Sequence, residues 1–187
     1  MNRLGTMLRA CLSALALTGA TAPAAQAAAL TVVAVGASNT SGWGVGEAAA
    51  YPARLEALLR ERGLDLRVIN AGRAFDTTSG MLNRLDTVVP EGTRLVVLQP
   101  GANDLRFFGT RERRAANIQA MVARLNERGI ASIVYDPVFP RESYQWDGIH
   151  ITREGHARIA EDLAPQVIEA LAPSAEAGPK RAGSRRK

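Results

Sequence analysis

LTVVAVG, residues 30–36, runs directly into Ala37-Ser38-Asn39-Thr40, and its reading decides the fold. It is short, apolar and rich in β-branched residues, does not alternate with polar ones, and closes on Gly36. That is the pattern of a strand buried on both faces, as in a parallel sheet. Three further runs share it: LRVINAG (66–72), RLVVLQPG (94–101) and IASIVYDPV (130–138). Between them lie helical spacings. Leu55, Leu58 and Leu59 share a face within 51–63, which Gly63 stops. Met81, Leu82, Leu85 and Val89 do so within 78–90, which Pro90 ends. Ile118, Met121, Val122 and Leu125 mark 110–129, and a last helix over 151–172 is expected to bend at Pro165. Strand and helix alternate four times across short connections, and parallel strands need such crossovers. The prediction is one α/β domain, a three-layer α/β/α sandwich without internal repeats.

Outside that core, the ends of the chain differ in composition. The first 27 residues carry Arg3 and Arg9, an apolar stretch from Ala10 to about Ala20, and Ala25-Gln26-Ala27 before Ala28. This is the layout of a secretory signal peptide, so an exported bacterial protein, periplasmic or secreted, is expected. The apolar stretch is shorter than the ~18–20 residues a membrane span requires, so stable membrane insertion is not expected. Residues 173–187 hold five basic residues and one acid and are rich in Pro, Gly and Ser, the composition of a disordered tail. Tail and leader account for the net charge of +5, which leaves the core near −1. The basic pI therefore belongs to the tail and argues against a nucleic-acid-binding face. Cys11, the single cysteine, falls in the leader, so residues 28–172 form a domain without disulfide or thiol chemistry.

In sheets of this kind ligands bind at the carboxyl ends of the strands, so the loops there carry the chemistry. GWGVG (42–46) lies too far past its strand and lacks the GxGxxG spacing of a dinucleotide site, and the chain has no GK[ST] phosphate loop. No cofactor is expected. Ser38 stands just after the first strand, where it can be exposed at the sheet's edge with its own backbone N–H pointing at a bound carbonyl. Thr40 and Ser41 can start a helix whose dipole favours an oxyanion. Asn103, in Gly101-Ala102-Asn103-Asp104, can donate an amide hydrogen to the same oxyanion. Taken singly, each segment also reads as an ordinary polar turn. Asp147 precedes His150 by three residues, a spacing that lets a carboxylate accept the ring Nδ1–H and leave Nε2 to take a proton. His156, the other histidine, sits inside the last helix and reads as a surface or packing residue. A metal site from Asp147, His150 and His156 lacks a second cluster of ligands and is not expected.

Taken together and in this order, these loops resemble the SGNH (GDSL-like) hydrolases, in particular the subgroup of periplasmic acyl-CoA thioesterase I, arylesterase and lysophospholipase L1. The resemblance runs from Leu30 to about Leu171. It implies a parallel, flavodoxin-like sheet of four to five strands, with Ser38 as nucleophile, His150 as general base and acid, and Asp147 as the carboxylate that orients it. It also implies an oxyanion hole built from the Ser38 N–H, the Asn103 amide and, in the stretch NAGRAFDTT, the N–H of Phe75. Phe75 stands where the family has glycine. If that position needs a positive φ a phenylalanine is strained there, Gly72 taking over part of the role, and its bulk is expected to narrow the acyl pocket toward short acyl groups. Ala37 replaces the aspartate of the GDS motif. The linker Pro137–Trp146 is short, which implies a more open site or a missing fifth strand. Tyr144 and Trp146 line the substrate side or pack on the last helix. The implied activity is Ser-His-Asp hydrolysis of a small acyl ester or thioester. Two other readings are a carbohydrate or peptidoglycan O-acetylesterase, and a non-catalytic member that binds lipid or glycan.

Overall fold

The computed structural model describes residues 29–172. The leader expected at 1–27 and the tail expected at 173–187 lie outside the described residues. Four parallel strands, β1 (Leu30–Gly36), β2 (Leu66–Gly72), β3 (Thr93–Gln99) and β4 (Ala131–Val134), form one sheet in the order β2-β1-β3-β4. The helices are α1 (Ser38–Ser41), α2 (Tyr51–Glu61), α3 (Thr78–Val88), α4 (Arg111–Glu127) and α5 (Arg153–Leu171). This is the expected α/β/α sandwich with flavodoxin-like strand order, and the sheet has four strands, at the lower end of the expected range.

Strand pleating sorts the core into two halves, because successive side chains point to opposite faces. Val32, Ala34, Leu95 and Val97 pack on one side against Tyr51, Leu55 and Leu59 of α2 and Ile159, Leu163 and Val167 of α5. Val33, Val35, Val96 and Leu98 pack on the other against Met81 and Leu85 of α3 and Met121 and Leu125 of α4. The two central strands are therefore apolar on both faces through Val32–Val35 and Leu95–Leu98, the feature that marked LTVVAVG. Three helices begin at a threonine whose hydroxyl accepts an N–H of the first turn: Thr77 from Gly80, Thr110 from Arg113 and Thr152 from Gly155.

Element ends differ from expectation by a few residues, most at the fourth strand. The fourth strand ends at Val134 rather than 138. Tyr135 still donates to the Leu98 carbonyl at 2.8 Å, but Asp136 is drawn to Arg114 at 2.8 Å, and Pro137 has no N–H to continue a ladder. The last helix runs unbroken through Pro165, as one element from Arg153 to Leu171. The chain leaves β1 toward β2 on one side and reaches β3 on the other, so the strand order reverses between β1 and β3. Crevices open at such reversals, and Ser38 and Asn103 follow these two strands.

Candidate active site

Two glycines at the ends of paired strands let the first loop fold over the sheet edge. A Cβ on Gly36 would overlap the Thr40 side chain, and one on Gly72 would overlap the Ser41 backbone. Without them α1 has space for its single turn, with Ser38 as first residue. Thr40 is fully buried and donates through Oγ1 to Gln99 Oε1 at 2.7 Å, which pins α1 to the end of β3. The Ser38 carbonyl accepts from Ser41 Oγ at 2.9 Å and from the Trp43 N–H at 3.0 Å.

Asp147 faces His150 across the turn that the spacing implied. Its Oδ2 lies 2.5 Å from His150 Nδ1, and its Oδ1 accepts the N–H groups of Ile149 at 2.9 Å and His150 at 3.0 Å. Burial alone would raise this carboxyl's pKa. The backbone and ring hydrogen bonds outweigh it and hold the pKa down at about 2. The charge on Asp147 fixes the tautomer with the proton on Nδ1 and leaves Nε2 as the basic nitrogen. The loop carrying His150 is braced against the loop carrying Ser38 by Asn39. Its Nδ2 donates to the Ile149 carbonyl at 3.3 Å, and its Oδ1 accepts the Ile151 N–H at 2.9 Å, so the clamp closes on both sides of the histidine. Gln145 adds a second brace, donating to the carbonyls of Trp43 at 3.0 Å and Ile151 at 2.9 Å.

The loops after β2 and β3 are joined directly. Asn103 Nδ2 donates to the Asp76 carbonyl at 2.7 Å, and the amide carries a second hydrogen besides. Phe75 has φ +63°, the single non-glycine residue at positive φ among the described residues. The Asp76 N–H donates to the Arg73 carbonyl at 3.2 Å, so Phe75 is the third residue of a tight turn, the position that favours glycine. The expected strain is therefore present in the backbone. Asp76 accepts Arg84 Nε at 2.7 Å, and Arg84 also donates to the Gly36 carbonyl at 3.1 Å. Asp104, buried, accepts both the Thr78 N–H at 2.9 Å and its hydroxyl at 2.6 Å.

The model of the GDSL-like lipase/acylhydrolase family matches residues 34–174, more than half the chain. The chain belongs to this family. It is 35% identical over 107 residues to esterase TesA of Pseudomonas aeruginosa, an alignment covering 57% of this chain and 51% of that protein. It thus spans about half the length of this curated relative. The crystal structure of a TesA superposes with a TM-score of 0.69 at 22% identity, covering 75% of this chain and 99% of that one. An esterase EstA from Pseudoalteromonas sp., inhibited by monoethylphosphonate, superposes at 0.66 and 16% identity, covering 76% and 99%. These structural likenesses speak to the fold.

Within the GDSL-like frame, the remaining sequence-derived residues fall as follows. A half-open groove of about 280 Å³ runs from the loop after β1 between the loops after β3 and β4, lined by Asn39, Gly101, Leu105, Val138, Tyr144 and Ile149 among others. Tyr144 lines it and packs edge-on against Phe139 at 6.3 Å. Trp146 points to solvent, 97% exposed, and neither lines this groove nor packs on α5. Phe75 does not narrow the groove. Its side chain is 73% exposed and lies against Trp43. His156 is buried, accepts the Tyr51 N–H through Nδ1 at 3.2 Å and stacks on the Tyr51 ring, so it belongs to the core and stands apart from His150. Sequence reasoning missed Asn39, Arg84, Gln145 and Trp43 as site residues. Their partners lie up to 112 positions away, and no local pattern announces them.

Proposed function

We propose that this GDSL-like protein is a serine ester hydrolase, acting on carboxylic esters or thioesters through Ser38, His150 and Asp147. The observation that carries the reading is the Asp147–His150 pair, clamped by Asn39 to the turn that begins with Ser38. In the first step the Ser38 hydroxyl oxygen attacks the acyl carbon while His150 Nε2 takes its proton. The carbonyl oxygen becomes an oxyanion between the N–H groups of Ser38 and Phe75 and the free amide hydrogen of Asn103. The C–O or C–S bond to the leaving group then breaks, and His150 returns the proton to the departing alkoxide or thiolate. Water deprotonated by His150 attacks the acyl-serine and releases the acid, restoring Ser38. All proton transfers run through side chains of this chain, so the scheme calls for no cofactor.

Hydrolysis of p-nitrophenyl acetate, butyrate and octanoate beside Ser38→Ala and His150→Ala tests the reading. Each variant is expected to lose at least ~10³-fold in kcat. A Ser38→Ala protein that keeps the wild-type rate refutes the scheme. A second reading on the same machinery is an O-acetylesterase of carbohydrate or peptidoglycan, favoured by the polar part of the groove wall, where Gln99, Arg111, Arg114 and Asp136 stand. Strong preference for acetyl over octanoyl esters would select it. The charged and apolar segments and Ala25-Gln26-Ala27 of the leader support an exported enzyme.

A further inference from the structure

GWGVG (42–46) lacks the spacing of a dinucleotide site, and its glycines have another use. Gly42 and Gly44 both adopt left-handed backbone, at φ +84° and +78°, and a Cβ on Gly44 would overlap the Gln145 side chain. They hold Trp43 between them, with its N–H on the Ser38 carbonyl and its own carbonyl on Gln145. The indole is 46% exposed, yet it touches two parts of the proposed machinery. It stacks on the His150 imidazole, centroids 5.6 Å apart and planes 24° apart, and meets the Phe75 ring edge to face at 5.6 Å and 73°.

We infer that Trp43 is a positioning residue that couples the base to the oxyanion hole, holding the His150 ring on one side and the left-handed Phe75 on the other. The inference rests on the ester-hydrolase reading above. For Phe75 the reasoning is conformational. A phenylalanine at φ +63° is disfavoured and persists only when its surroundings over-determine it. Its ring is mostly exposed, and Trp43 is the aromatic surface it rests on. Release of that contact lets the turn relax toward negative φ and swings the Phe75 N–H off the oxyanion. For His150 the reasoning is electrostatic. The ring becomes cationic when it takes the Ser38 proton, and an aromatic face stabilises a cation laid over it. Asp147 is the charged group facing that ring, while Asn39 and Gln145, which brace the same loop, are neutral.

The test is steady-state kinetics on p-nitrophenyl butyrate, with thermal unfolding as a control for folding, for wild type, Trp43→Ala, Trp43→Phe, Phe75→Gly and the Trp43→Ala/Phe75→Gly double variant. Trp43→Ala is expected to lower kcat by ~10–100-fold, the range set by small misplacements of catalytic groups, while KM moves less than about threefold. Trp43→Phe, which keeps an aromatic face, should regain much of that loss. A glycine at 75 needs no support at φ +63°, so Trp43→Ala should cost at least about threefold less in the Phe75→Gly background than in wild type. A Trp43→Ala enzyme with kcat within about twofold of wild type, or one whose loss lies wholly in KM, overturns the inference. Strict additivity of the two substitutions overturns the coupling to Phe75. Ser38→Ala measured in parallel separates this from the underlying reading, which fails only if that variant stays active.

Discussion

In the proposed mechanism Asn103 divides its amide between structure and chemistry, with one hydrogen on the Asp76 carbonyl at 2.7 Å and the other donated to the oxyanion. Asn103→Ala should therefore lower kcat by ~10²–10³-fold, the usual cost of one oxyanion donor, with KM little changed. Asn103→Asp should be at least as damaging, since an ionised carboxylate has no hydrogen to donate and repels the oxyanion. An Asn103→Ala enzyme that loses affinity and keeps its turnover would remove Asn103 from the oxyanion hole. Asp147 sets the protonation pattern of the site in a similar way. Its pKa is held at about 2, so it stays ionised at any pH where the protein is assayed. The acid limb of activity above pH 5 is then not its own titration.

Between elements, the decisive device is a side chain that spans two loops. Asn39 follows Ser38 on α1, yet both its hydrogen bonds go to the backbone either side of His150. Nothing else in this brace depends on chain continuity, since about 110 residues separate the partners. Removing it with Asn39→Ala frees the base loop, and a shift of about 1 Å in a catalytic group costs ~10²-fold in rate. Asn39→Asp keeps an acceptor for the Ile151 N–H and loses the donor to Ile149. Its kcat is expected to fall between wild type and Asn39→Ala. The reverse order of the two variants would mean that the clamp does not act through these bonds.

At the scale of the whole molecule, the half of the core between the sheet and α2 with α5 contains a titratable group. His156 is fully buried, its Nδ1 accepts the Tyr51 N–H, and its Nε2 has no partner among the described residues. Desolvation, with a smaller push from the Arg54 charge, lowers its pKa to about 4 from the ordinary 6.5. The unfolded chain therefore binds a proton near pH 6.5 that the folded chain resists until about pH 4, and stability must fall as pH drops through that window. The loss from this residue amounts to about 2–3 kcal/mol by pH 4.5. Urea unfolding at pH 7.5 and 4.5 should show it, and His156→Asn, which keeps an acceptor for Tyr51 and cannot ionise, should abolish most of that difference. An equal pH dependence in the variant would assign the acid lability to other groups.

By itself the sequence determined the alternation of strands and helices, the sidedness of the core, and the short-range parts of the site. Each depends on neighbours. β-branched runs, leucines at helical spacing, and a carboxylate three residues before a histidine are complete within one or two turns of chain. Even the strain at Phe75 was legible, because a bulky residue stood where the related family has glycine, and the backbone there does carry φ +63°. Tertiary structure alone decided where β4 ends, since Arg114 draws Asp136 out of the sheet's line, and that α5 is continuous through Pro165. It also decided that Phe75 leans on Trp43 rather than into the groove, that Trp146 faces solvent, and that Asn39, Gln145 and Arg84 tie the loops together. Those outcomes depend on contacts between segments remote in sequence, and no periodicity or local spacing encodes a partner that only the folded sheet brings within reach.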